Sequence, residues 1–89
     1  MDEKYLPIGT VVILKKGKKR LMITGYSQVD LNNKEKVYDY CGCFYPEGML
    51  DDSKFLFNHD QIEKVFYKGL IDEEQEKFIV KLKDIIAKK

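Results

Sequence analysis

The chain has 89 residues and 10.5 kDa, with 16 Lys and Arg against 15 Asp and Glu, a net charge of +1. At this mass, folding hides about 64% of the chain's surface, enough for one small core, so residues 1–89 are expected to form a single domain. Near-zero net charge excludes a whole-molecule field for nucleic acid or anionic membrane, and 44% hydrophobic residues exclude a disordered chain.

The lead, residues 1–6, is polar until Tyr5 and Leu6. Pro7 fixes φ at a strand entry, and Thr10 to Leu14 is β-branched and apolar, a buried strand. Lys15 to Lys19 makes a turn around Gly17, with the lysines left in water. Arg20 to Asp30 is a second strand, bulged or bent at Gly25. Leu31 to Glu35 is a polar loop, followed by a third strand from Lys36 to Tyr45 with apolar groups on both faces. Tyr45-Pro46-Glu47-Gly48 is a turn, because proline pre-sets φ and glycine fits its end. Met49 to Ser53 is a polar connector. Lys54 to Phe57 and Ile62 to Lys68 read as two short strands paired across the polar break Asn58 to Gln61.

The tail predicts a helix over residues 72–87. Asp72 is the N-cap, with Gln75 as its capping-box partner and Glu73, Glu74 and Glu76 at the positive end of the dipole. Phe78, Ile79, Leu82, Ile85 and Ile86 form one stripe at helical spacing. A helix this short needs that stripe buried, against the sheet or a partner. The fold expected is α+β: a small antiparallel, strongly curled sheet or SH3-like partial barrel of four to five strands within residues 7–69, with one C-terminal helix.

Reactive groups are few. Cys41 and Cys43 lie about 7 Å apart on a strand, at the limit for a disulfide between them. With His59 they are the only soft metal ligands, short of the four a structural zinc takes. The plain reading is two small core residues and a turn histidine, exposed between Asn58 and Asp60. No catalytic, metal or cofactor-binding residue is assigned. Lys15 to Arg20 offers cations that could meet phosphates while tyrosines stack bases, but the balanced charge makes this an alternative and nucleic acid an improbable partner. A Cys/His metal or redox site is a weaker alternative still.

Six Tyr and five Phe exceed what one small core encloses, so some rings must face solvent. Tyr38, Tyr40, Tyr45 and Met49 fall close together on the third strand and its turn and are the predicted partner-binding residues. The longest apolar run, Val11 to Leu14, is four residues. A bilayer takes roughly 20, and no secretory leader is visible, so the expected location is the cytoplasm.

The segments Leu6-Pro7-Ile8-Gly9-Thr10-Val11-Val12-Ile13-Leu14-Lys15, Lys19-Arg20-Leu21-Met22-Ile23-Thr24-Gly25, Asp39-Tyr40-Cys41-Gly42-Cys43-Phe44-Tyr45-Pro46-Glu47-Gly48, Phe57-Asn58-His59-Asp60-Gln61-Ile62 and Val65-Phe66-Tyr67-Lys68-Gly69 resemble a small bacterial family, the domain of unknown function DUF4176. The Leu-Pro-Ile-Gly-Thr opening and the Tyr-Pro-Glu-Gly turn are its most specific pieces. The resemblance implies a setting in Gram-positive bacteria, within type VII secretion gene clusters. It implies an accessory or chaperone-like protein whose partner is encoded in the same locus, with self-association open. It implies no reaction and carries over no catalytic residue.

Overall fold

The computed structural model describes residues 4–51 and 54–88. Met1 to Glu3 of the lead, Asp52 and Ser53 of the connector and Lys89 lie outside the described residues. Five strands precede one helix: β1 (Val11–Leu14), β2 (Leu21–Asp30), β3 (Asn33–Phe44), β4 (Phe55–Phe57), β5 (Ile62–Tyr67) and α1 (Glu73–Ala87), with a 3-10 turn at His59–Gln61. The strands form one open antiparallel sheet in the order β4-β3-β2-β1-β5. The α+β expectation therefore holds.

Two local readings change, and the irregularity at Gly25 is borne out. β3 begins at Asn33, not Lys36, because Asp30 closes a tight turn: its Oδ1 accepts from the Asn32 N–H at 2.9 Å, and the loop shrinks to Leu31-Asn32. The irregularity expected at Gly25 is a register jump between Ile23 and Gly25 that leaves Thr24 unpaired opposite β3. The second change is larger. β4 and β5 do not pair with each other: β4 pairs with β3 and β5 with β1, so consecutive strands occupy opposite edges of the sheet. The cause is the turn between them. The Asn58 side-chain oxygen accepts from the Asp39 N–H at 3.0 Å, and the His59 N–H donates to Asp39 Oδ2 at 2.9 Å. These two bonds hold the turn against β3, and the chain leaves it toward β1, where Lys15 N–H donates to the Gln61 carbonyl at 2.8 Å.

Alternation gives the sheet two unlike faces. Val12, Leu21, Ile23, Tyr40, Phe57 and Ile62 form the core with Leu6 from the lead. Each fully buried apolar side chain contributes about 1.5–3 kcal/mol. Residues of opposite parity, among them Val11, Ile13, Met22, Cys41 and Cys43, point to the other face; Val11 and the two cysteines are enclosed there, while Ile13 and Met22 are half-buried.

α1 starts as its sequence dictates: Asp72 Oδ1 accepts from the Gln75 N–H at 2.8 Å. Glu73–Lys77 and Asp84–Lys88 are i,i+4 ion pairs, each worth a few tenths of a kcal/mol. The stripe buries only in part. Leu82 is enclosed and Ile79 and Ile86 are half-buried, while Phe78 and Ile85 stay exposed.

Candidate interaction surface

The four predicted docking residues are not brought together. Tyr40 is 0% exposed and belongs to the core, a correction to its reading as a surface ring. It points inward because β3 runs between β2 and β4, with Tyr40 opposite Tyr26 on one side and Phe57 on the other. Its ring stacks on Phe57 at 5.4 Å between centroids. Its oxygen accepts from the Tyr5 and Leu6 N–H groups at 2.9 and 3.0 Å. The hydroxyl proton then goes to His59 Nδ1, 2.8 Å away. Tyr38 is half-buried with the Lys36 ammonium over its ring. Met49 is exposed and lines a small cavity with Phe44 and Phe55, away from Tyr45.

The residues of the alternative Cys/His site lie on different sides of the sheet. His59 is half-buried against Tyr40, not exposed as read from sequence. Cys41 and Cys43 are buried free thiols on the opposite parity of β3 from Tyr40, and Cys41 Sγ sits 3.6 Å from Thr24 Oγ1. Among the described residues, no three His, Cys, Asp or Glu side chains converge on one point.

The tyrosine cluster has a pH signature. Burial first, and the neighbouring Tyr40 second, push Tyr26 up from the ordinary 10.0 to about 12. Its hydroxyl donates to the Leu6 carbonyl at 2.6 Å. Burial also raises Tyr40. From the ordinary tyrosine value upward, the unfolded chain has lost these protons and the fold still holds them, so stability falls as pH rises toward about 12; below that window the pair adds no slope. Urea midpoints should stay level near neutral pH and drop at about pH 11, and Tyr26→Phe should shrink the drop. A level midpoint throughout would contradict the assignment.

Tyr45 marks a surface that the sequence did not reveal. It is 37% exposed and lines a cavity of about 550 Å³ with Gly9, Val11, Arg20, Met22, Phe66 and Tyr67. The Arg20 guanidinium lies 5.0 Å from the Tyr45 ring centre and 5.4 Å from that of Phe66. Lys64 Nζ stands 4.9 Å from the same Phe66 ring. Three separate segments build this cluster, because Val11 pairs with both Met22 and Tyr67 and so draws β2 and β5 together across β1. Beside it, Lys19 is neutralised by Glu47 at 2.7 Å, a contact that also holds the Glu47 carboxyl below its ordinary value. Among the described residues Arg20 faces rings and no carboxylate. The cavity combines a cation, two phenol hydroxyls and apolar walls on the sheet face opposite the core.

A family model for the domain of unknown function DUF4176 matches residues 5–78. The chain belongs to this family. The DUF4176 match takes in all five strands and the whole cation–aromatic cluster, and it stops at Phe78, leaving the rest of α1 outside. No curated protein and no solved structure matches the chain.

Proposed function

We propose that this chain is a non-enzymatic interaction module whose sheet face opposite the core docks an acidic protein segment. Its setting is the one implied by the DUF4176 resemblance: a cytoplasmic, accessory or chaperone-like role beside type VII secretion, with the partner encoded in the same locus. The observation that carries the reading is Arg20, held between the rings of Tyr45 and Phe66 beside an apolar cavity. Cation–ring contacts of this kind contribute about 0.5–1 kcal/mol at exposed sites. Contact with ring faces holds a guanidinium in place while leaving its in-plane donors available to a carboxylate. Tyr and Arg are also the residue types that anchor interfaces.

Chain geometry supports an SH3-like bend of the sheet behind this face. A 3-10 turn rises about 2 Å per residue. Residues Asn58 to Gln61 must therefore join edges that a flat five-stranded sheet would hold about 19 Å apart. Curling the sheet brings the edges within reach and makes the outer face convex at β1.

The test uses purified full-length chain, the proteins encoded beside it, and a single-stranded oligonucleotide as competitor. Arg20→Ala and Phe66→Ala should each weaken partner binding at least tenfold while moving stability by less than about 1 kcal/mol. Binding of the oligonucleotide that collapses steeply with salt would replace this reading with the nucleic-acid one. Undiminished partner binding by both variants would overturn the site.

A further inference from the structure

We propose that α1 pairs with the α1 of a second copy of this chain, antiparallel, through Phe78 and Ile85. Phe78 is 50% exposed and Ile85 56% exposed, although both belong to the apolar stripe of the helix. The intramolecular contacts of α1 fall to one side of that stripe: Gln75 and Ile79 face Tyr5 and Pro7 across a shallow cavity, and Leu82 is buried. Phe78 touches its own domain through the Tyr26 ring at 6.1 Å, and Ile85 lies one heptad further on the same open flank.

Charge selects the occupant. The first part of the helix carries Asp72, Glu73, Glu74 and Glu76; the later part carries Lys77, Lys81, Lys83 and Lys88 against Asp84 alone. An acidic half followed by a basic half is complementary to itself when reversed. A two-fold axis midway between Phe78 and Ile85 sets each Phe78 against the partner's Ile85. Glu74, Lys81 and Lys88 recur every seven residues along the flank of that seam, so each Glu74 meets the Lys88 end of the other helix. Two Glu74–Lys88 attractions outweigh the single Lys81 encounter at the axis. A parallel pair would set like charge against like, and an unrelated acidic or basic helix would match only one half. This surface is separate from the Arg20 cavity, so it is tested by molecular mass rather than by partner binding.

Sedimentation equilibrium of the full chain should give twice the 10.5 kDa protomer. Ile85→Asp should return the monomer with its helix content intact, since the side chain is outside the core. Glu74→Lys and Lys88→Glu should each loosen the dimer at least threefold, and the double variant should restore it. A chain that stays at 10.5 kDa up to about 0.5 mM, or a dimer untouched by Ile85→Asp, overturns the pairing.

Discussion

Replacing Tyr40 by phenylalanine should cost about 2–4 kcal/mol of stability, although it removes one oxygen and leaves the ring stack on Phe57 in place. Among the described residues the oxygen is the one acceptor for two backbone donors, the N–H groups of Tyr5 and Leu6, and the hydroxyl proton satisfies His59 Nδ1. Each buried donor left unpaired costs about 1–3 kcal/mol. Among the described residues the lead pairs with no strand that could take over, and Leu6 is held otherwise by its carbonyl, on the Tyr26 hydroxyl. Tyr5 also sits at φ +65°, a left-handed conformation that a tyrosine adopts only when its surroundings impose it. Losing the anchor should release Tyr5 and Leu6 from the core, with Leu6 giving up its burial. Urea unfolding of Tyr40→Phe beside Tyr38→Phe decides it, since the half-buried Tyr38 should cost under about 0.5 kcal/mol. Equal effects from the two variants would show that the hydroxyl does not fasten the lead.

The sequence was legible wherever a signal is local. Strand positions follow from β-branched runs, and the helix start follows from Asp72, whose carboxylate accepts from Gln75 as its spacing dictates. Parity along β3 was also readable, yet which parity is core was not. Both contain large or apolar groups, and the choice rests on Tyr26 and Phe57 arriving opposite Tyr40 from distant segments. The same holds for the β4–β5 break. Asn58 to Gln61 looks like a hairpin turn, and only the bonds to Asp39, 19 and 20 residues earlier, make it a crossing between sheet edges. The Arg20 cluster needs three segments in register across β1, so no window of sequence contains it. The DUF4176 resemblance spoke to family membership and left the face silent, because a family without an assigned activity has no site to transfer.

Gly42→Ala should be the most damaging single-methyl change in the sheet, about 3 kcal/mol or more. A Cβ at Gly42 would stand 2.5 Å from the Met22 carbonyl oxygen and 3.3 Å from the Phe57 ring. The first obstacle is backbone of the neighbouring strand, which cannot swing aside as a side chain can. Gly42 lies opposite Ile23 in the β2–β3 ladder, at the point where the sheet is buried on the core side. Relief therefore requires β2 and β3 to part at their centre. Gly48→Ala gives the contrast. Its φ of +78° strains an alanine, but its Cβ would meet nothing within 4 Å, so the cost is the backbone term of about 1 kcal/mol. The two variants also separate in function. Met22 lines the Arg20 cavity, and the Tyr45 N–H donates to the Arg20 carbonyl at 3.0 Å. Spreading β2 from β3 therefore moves the guanidinium away from the Tyr45 ring, and Gly42→Ala should lose partner binding even at temperatures where it stays folded. Gly48→Ala should keep it. If Gly48→Ala proves the more costly of the two, Gly42 is not packed against Met22 and the β2–β3 register is wrong.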